Sequence, residues 1–133
     1  MEGWSLKFLL DTHAALWLVI DSPKLGKKAR RALTRAAAGQ LAMSDVSLFE
    51  LAQLDRKGTI SLAPSAAVFL GDLAQRLVVL PIDGEIAADA AHLALAQGDP
   101  FDRLIVATAR RHRLTLISRD AKITDAELVS VLW

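Results

Sequence analysis

The chain has 133 residues, which fits one domain with its own hydrophobic core and is too short for two. Hydrophobic residues make up 53% of it, which excludes a disordered chain and favours an α/β domain with buried strands. The net charge is +1, so no overall field attracts a polyanion. The absence of cysteine excludes disulfides, thiolate metal sites and cysteine nucleophiles. Residues 1–133 are therefore expected to form a single domain.

No segment has the pattern of a membrane span or a secretory signal. The longest apolar run, residues 14–20, is far shorter than the ~20 residues needed to cross a bilayer. Lys7 and Asp11 interrupt the first apolar stretch. We expect a cytoplasmic protein without membrane association.

In the first half of the chain, short apolar stretches alternate with amphipathic ones. Strands are predicted at residues 5–10 and 40–43, and residues 59–62 are predicted to be short and extended. Helices are predicted at residues 14–20, 25–38 and 46–57. Gly39 and Gly58 follow the last two of these helices, where a glycine favours helix termination.

The second half continues the alternation. Helices are predicted at residues 65–76 and 86–96 and from residue 100 onward, with a short helical or irregular piece after Asp120. Strands are predicted at residues 77–82, 114–118 and 129–132. This order predicts one α/β domain with a mainly parallel central sheet flanked by helices on both faces.

The helix beginning near residue 100 carries acids in its first turn. Asp99 is a suitable N-cap, and Pro100 suits the first helical position because its missing N–H costs nothing there. Asp102 then falls at the third helical position. Acids in a first turn also simply complement the helix macrodipole, so Asp102 alone does not indicate a site.

Four acids fall where a parallel sheet presents ligands. Asp11 and Asp120 follow predicted strands, Glu50 lies about one turn into a predicted helix, and Asp102 starts another. Since ligands bind at the carboxyl ends of parallel strands, these four carboxylates are expected to face one crevice. Each has a plainer alternative: Asp11 as a helix cap, Asp120 as a turn residue, Asp102 as a dipole partner. Glu50 lies among apolar residues, where an unpaired acid is costly.

Converging carboxylates require a cation, because like charges close together raise one another's pKa. Mg²⁺ or Mn²⁺ suits such a site, since hard cations take oxygen ligands and leave positions for water and phosphate. The chemistry implied is metal-assisted phosphodiester hydrolysis. Asp45 and Asp83 are predicted to be N-caps outside this site.

Five motifs in order carry a family resemblance. They are LLDTHA at 9–14, SDVSLFELA at 44–52, LPID at 80–83, DPFDRLIVA at 99–107 and LISRD at 116–120. With them the chain resembles PIN-domain proteins, in particular VapC-type toxin ribonucleases of type II toxin–antitoxin pairs. The resemblance covers residues 8–133. One departure is that the segment after Glu50 places its lysine, Lys57, later than relatives commonly do.

The resemblance implies roles for particular residues. Asp11, Glu50, Asp102 and Asp120 match the family's metal-binding and catalytic acids. Asp99 matches an acid near the site, and Thr12, Ser47 and Ser118 match small polar residues that orient carboxylates or water. Also implied are an RNA substrate, a homodimer, inhibition by a cognate antitoxin, and DNA binding only through that antitoxin.

Several residues have two interpretations from sequence alone. His13 is either a general base or a locally packed side chain. The basic segment 24–35 either grips RNA phosphates or is solvated. Arg103 is expected to pair with a carboxylate or a phosphate. Trp17 and Trp133 belong either to the core or to a patch for a partner.

A rival from another functional class is a domain that keeps these acids but only binds RNA or protein. Other phosphate chemistries fit less well. A haloacid-dehalogenase-like phosphatase needs a second aspartate where His13 stands, and a response-regulator receiver needs an acidic pair before its first helix. Glycine-rich nucleotide-binding loops are absent from the sequence.

Overall fold

Short parallel strands form the centre of the computed structural model, which describes residues 5–95 and 99–133. The strands are β1 (Phe8–Leu10), β2 (Leu41–Ser44), β3 (Val78–Leu80), β4 (Thr115–Ile117) and β5 (Val131–Leu132). Their order in the sheet is β3-β2-β1-β4-β5, and every neighbouring pair is parallel. The mainly parallel sheet predicted from the sequence is confirmed.

Helices connect the strands. They are α1 (Thr12–Val19), α2 (Lys27–Arg35), α3 (Asp45–Arg56), α4 (Ala66–Arg76), α5 (Gly84–His92), α6 (Pro100–His112) and α7 (Ala121–Ala126). A 3₁₀ turn, Ala38–Gln40, leads from α2 into β2. None of the helices in the described part of the chain is long and apolar enough to span a bilayer.

Two hydrophobic cores lie on opposite faces of the sheet. Successive side chains of a strand point to opposite faces, so Leu10 enters one core and its neighbour Leu9 enters the other. The first core includes Leu33 of α2 and Leu73 of α4. The second includes Ile105 of α6. Helices therefore cover both faces, as predicted.

Three predicted elements differ from the observed ones. The helix predicted for residues 25–38 ends at Arg35, because Ala36 has extended dihedral angles and Gly39 belongs to the 3₁₀ turn instead. Residues 59–62 form no strand, since the Leu62 amide donates to Asp55 Oδ1 at 2.9 Å and ties this segment to the end of α3. The alanine-rich helix ends at His92, short of the predicted end at residue 96, and residue 96 itself lies outside the described residues.

The strand order places a topological switch beside β1. The chain adds β2 and β3 on one side of β1 and later adds β4 and β5 on the other. The carboxyl ends of β1 and β4 are adjacent, and the Asp11 amide donates to the Ile117 carbonyl at 3.1 Å. Crevices at such a switch point are where open parallel sheets bind ligands.

Candidate active site

An open cleft of about 410 Å³ lies at the carboxyl edge of the sheet. Its lining consists of five acids, two tryptophans, a histidine and an arginine: Asp11, His13, Trp17, Glu50, Asp99, Asp102, Arg119, Asp120 and Trp133. The four acids named from the sequence thus face one space from four separate chain segments. A second cavity, of about 440 Å³ beside Thr115 and Ser130, is lined by no carboxylate.

Asp11 is both a helix cap and a cleft residue. Its Oδ1 accepts a hydrogen bond from the Ala14 amide at 2.8 Å at the start of α1, and the residue also lines the cleft. Burial raises the pKa of this carboxyl above its usual range, and Asp120 nearby raises it further. Hydrogen bonds from Ala14 and Ser118 oppose the rise in pKa. Asp11 therefore caps α1, as the plainer alternative predicts, and it lines the cleft as well.

Glu50 accepts a hydrogen bond from one hydroxyl group, which is itself hydrogen-bonded to a second. Thr12 Oγ1 donates to Glu50 Oε1 at 2.5 Å, and the buried Thr12 and Ser47 hydroxyls are hydrogen-bonded at 2.9 Å. Burial raises the pKa of Glu50, the Thr12 hydrogen bond lowers it, and the negative charge of Asp99 raises it. Thr12 follows Asp11 in sequence, so the end of β1 supplies one acid and orients another.

Asp102 is the third residue of α6, and Asp99 is the N-cap of that helix. Asp99 Oδ1 accepts from the Phe101 amide at 2.8 Å, as predicted, so the cap does not require Asp102. Burial and then the charges of Asp99, Asp120, Glu50 and Asp11 raise the pKa of Asp102 to about 6. Burial and these four negative charges all favour the protonated form of the Asp102 carboxyl.

Asp120 is the N-cap of α7. Its Oδ1 accepts from the Lys122 amide at 2.9 Å, and its own amide donates to Ser118 Oγ at 3.1 Å. Ser118, which is buried, therefore contacts two of the acidic positions, since it also hydrogen-bonds to Asp11. A single short turn after β4 thus connects two carboxylates of the cleft.

The donor chemistry of the cleft fits a hard divalent cation. All five acids offer carboxylate oxygens, the ligands that Mg²⁺ and Mn²⁺ prefer, and burial together with the negative charges of its neighbours raises the pKa of Asp102. Within residues 5–95 and 99–133, however, no group of three or more acidic or histidine side chains has the arrangement needed to hold a metal ion. The cleft has suitable ligand types without a preformed cage.

Of the two acids predicted to be N-caps outside the site, Asp83 is one and Asp45 is not. Asp45 is not an N-cap, because Ser44 caps α3 by accepting from the Val46 amide at 3.3 Å. Asp45 Oδ2 instead accepts from the Ile82 amide, also at 3.3 Å, which joins α3 to the chain after β3. Asp83 does cap α5, as predicted.

Arg103 likewise differs from its predicted role, because in the described part of the chain it contacts backbone carbonyls and pairs with no carboxylate. Its guanidinium donates to the Ala90, Ala91, Leu93 and Leu95 carbonyls at 2.8–3.4 Å. These carbonyls lie at and just beyond the end of α5, where a helix leaves acceptors unsatisfied. Arg103 is thus a structural residue that joins α5 to α6.

Arg119 is a cleft residue that the sequence did not single out. It lies between Ser118 and Asp120 in the LISRD motif, and this position is the signal that could have identified it.

Trp17 and Trp133 also line the cleft, with their ring centroids 5.8 Å apart, so both are part of the site wall. His13 lies there too, its ring 5.3 Å from that of Trp17. No residue of the basic segment 24–35 lines the cleft among the positions described.

Comparison with known proteins agrees with the architecture and with the motifs. The PIN domain model matches residues 8–128. Ribonuclease VapC22 from Mycobacterium tuberculosis (strain ATCC 25618 / H37Rv) is 36% identical over 116 residues, which cover 86% of this chain and 88% of that protein.

Solved structures share the fold. A structure of DNA-bound VapBC from Salmonella typhimurium has a TM-score of 0.75 at 22% identity, covering 96% of this chain and 98% of that one. FitAcB from Neisseria gonorrhoeae has a TM-score of 0.67 at 24% identity, covering 95% and 96% respectively. The chain therefore belongs to the PIN-domain family, among its VapC-type toxin ribonucleases.

Proposed function

We propose that this protein is a divalent-metal-dependent endoribonuclease and the toxin of a toxin–antitoxin pair. The observation that carries the proposal is the convergence of Asp11, Glu50, Asp102 and Asp120 on one cleft at the switch point of the sheet. Similarity to a VapC ribonuclease over most of the chain supports RNA as the substrate class.

The four acids are the proposed ligands of Mg²⁺ or Mn²⁺. Such an ion, when bound, supplies charge that polarises a phosphodiester and lowers the pKa of a water molecule. Thr12 donates to Glu50 and is itself hydrogen-bonded to Ser47, and Ser118 hydrogen-bonds to Asp11. Asp99, the fifth acid, caps α6 and adds negative charge beside Asp102 and Glu50. These side chains orient the ligand oxygens, which is the usual task of residues behind a metal site.

The cleft supports attack by water on the phosphodiester. Serine, threonine, cysteine and lysine are absent from its described lining, so a covalent route through such a side chain is not indicated. The carboxylates exclude phosphates unless their charge is compensated. The same charges that raise the pKa of Asp102 thus explain why the proposed chemistry depends on a cation.

We further propose a cognate antitoxin as the protein partner, a homodimer as the assembly, and DNA contact only through the antitoxin. Structural neighbours with this fold include VapBC bound to DNA, which supports a partner of that kind. An RNA substrate is consistent with action in the cytoplasm. Light scattering of the purified protein, alone and with the candidate antitoxin, tests the dimer and the complex; a monomer in both samples would contradict this part of the proposal.

The test of activity is cleavage of RNA by the purified protein with Mg²⁺, with Mn²⁺ and with EDTA. Asp11→Asn and Asp102→Asn should abolish the metal-dependent product, whereas Asp72→Asn, at an exposed position on α4, should not. Equal cleavage by the wild type and both site variants would reject the assignment.

One observation favours a second candidate, a PIN-like module that binds RNA or protein without turnover. It is that the described residues contain no group arranged to hold a metal ion. Metal-dependent RNA binding with no product under single-turnover conditions would support the binding module. Any metal-dependent nicking would exclude it.

A further inference from the structure

Arg119 is the one arginine or lysine that lines the acidic cleft in the described part of the chain. It lines the acidic cleft, where its guanidinium carbon is 4.7 Å from the centroid of the Trp17 ring. We propose that Arg119, held by Trp17, binds a phosphate of the RNA strand beside the scissile bond. This inference rests on the proposed ribonuclease function and assigns a substrate-binding residue to the same site.

The Trp17 ring is a firm support for the guanidinium. Trp17 is only 6% exposed, and it contacts the rings of His13 and Trp133 at centroid distances of 5.3 and 5.8 Å. A guanidinium stacked over an aromatic face keeps its planar set of donors directed outward. Stacking therefore fixes the position of Arg119 without using its N–H groups.

The backbone on either side of Arg119 is also fixed. Ser118 is buried and its hydroxyl accepts from the Asp120 amide at 3.1 Å. Asp120 in turn caps α7 through the Lys122 amide. The arginine thus projects from a short turn that is bound to the fold at both ends.

The donors of Arg119 are not used by the neighbouring carboxylates. Ion pairs in the described part of the chain join Arg30 to Asp21, Arg110 to Asp89 and Arg111 to Glu85. Arg119 is in none of them, although five acids line the same cleft. Because its side chain is exposed, its donors are open to a ligand that brings its own negative charge.

A phosphate is the ligand that this arrangement favours. A polyanionic strand approaching five carboxylates needs positive charge at the rim, and Arg119 is the one arginine or lysine in the described lining. Lys24 Nζ lies 5.9 Å from the centroid of the same Trp17 ring, so a second positive charge lies near Arg119 outside the cleft lining. Planar guanidinium groups bind phosphate oxygens in a bidentate geometry.

The test compares Arg119→Ala, Arg119→Lys and the control Arg56→Ala. Arg56 is an exposed arginine at the far end of α3, away from the cleft. Binding of a single-stranded RNA oligonucleotide is measured over a salt series, with each substitution placed in the Asp102→Asn background so that no cleavage occurs. Cleavage is measured separately with otherwise wild-type protein.

Arg119→Ala should weaken RNA binding about tenfold, the loss expected for one charge-assisted contact. It should also reduce the slope of log affinity against log salt by about 0.7, the value for one phosphate contact on a single strand. Arg119→Lys should restore the slope but only part of the affinity, because an ammonium lacks the planar fork. Arg56→Ala should change neither quantity.

Unchanged RNA affinity and salt slope in Arg119→Ala would overturn the inference even if the wild type cleaves RNA. So would a variant that binds RNA normally but loses affinity for a protein partner, since Arg119 would then belong to a protein interface. If the wild type fails to cleave while Arg119→Ala still loses the salt-dependent contact, the ribonuclease proposal fails and the phosphate site stands.

Discussion

Thr12 Oγ1 donates a hydrogen bond to Glu50 Oε1 at 2.5 Å, across 38 positions of sequence. The bond joins the start of α1 to the first turns of α3, and the buried Ser47 hydroxyl is hydrogen-bonded to the Thr12 hydroxyl at 2.9 Å. It fixes the direction of a carboxylate whose burial raises its pKa. One hydroxyl thereby couples the position of Glu50 to the strand that carries Asp11.

Removing that hydroxyl should therefore impair the site without unfolding the protein. Thr12→Val keeps the shape of the side chain, and we expect cleavage to fall by about 10–100-fold, the usual cost of losing a residue that orients a metal ligand. Thr12→Ser keeps the hydroxyl and should retain most activity. Initial rates across a Mg²⁺ titration measure the effect, and equal rates for Thr12→Val and Thr12→Ser would contradict it.

The pKa of Asp102 predicts an unusual pH dependence of stability. Its folded-state pKa is raised from 3.8 to about 6, so between these values the folded state binds more protons than the unfolded state. The contribution of Asp102 to the stability of the metal-free protein is therefore present below pH ~4 and is lost as the pH rises through about 6.

Asp102→Asn should remove this dependence and stabilise the metal-free protein at pH 7. The melting temperature in EDTA between pH 4 and pH 8 is the measurement, with Asp72→Asn as a control at an exposed position. A curve for Asp102→Asn parallel to that of the wild type would show that the carboxyl does not titrate in this range.

Arg103 should matter for stability more than its partial exposure suggests. It satisfies four carbonyl groups at and beyond the end of α5, so Arg103→Ala should lower the free energy of unfolding by about 2–3 kcal/mol. Arg103→Lys should recover little of the lost free energy of unfolding, because a single ammonium group cannot contact all four carbonyl groups at once. Urea unfolding checks both variants. Arg111→Ala, which loses one exposed ion pair with Glu85, should cost no more than about 0.5 kcal/mol.

Gly26 is packed directly against Trp133. A Cβ at this position would lie 2.7 Å from the Trp133 backbone carbon and 2.7 Å from its Cδ1. Gly26→Ala should therefore displace the tryptophan from the cleft wall and destabilise the fold by about 1–3 kcal/mol, the range for overpacking.

Gly71→Ala is the matched control, because a Cβ there meets nothing within 4 Å and the position lies inside α4. That change should be neutral or should stabilise the helix by about 0.5–1 kcal/mol. Thermal unfolding and the tryptophan fluorescence of the two variants give the comparison. Similar stability in both variants would show that Trp133 can move away from residue 26 without lowering the free energy of unfolding.

Much of the fold follows from local patterns in the sequence. Apolar strands between amphipathic helices predict a parallel sheet, and the Asp99-Pro100 pair marks the start of α6 to the residue. The end of α2 could not be predicted from local sequence, because Ala36 leaves helical geometry within a run of alanines that contains no helix-breaking residue. That break depends on the chain turning into β2, which is a tertiary requirement.

The candidate site was predictable to a similar degree. Positions after strands and near helix starts predict that the four acids lie at one edge of the sheet, since topology brings such positions together. The contacts of Arg103 and Arg119 could not be predicted in this way. Both residues are next to an acid in sequence, yet Arg103 binds carbonyl groups and Arg119 stacks on Trp17. The direction of a long side chain depends on partners that are distant in the chain.

The proposed function depends most on metal-dependent cleavage of RNA by these carboxylates. The direct measurement is the single-turnover rate constant for cleavage of an end-labelled RNA as Mg²⁺ is titrated into metal-free wild-type protein and into Asp102→Asn. We predict a saturable rise in rate for the wild type and no rise for the variant, while both proteins bind the RNA. Cleavage by the wild type in EDTA, or the same metal response in Asp102→Asn, would contradict the account.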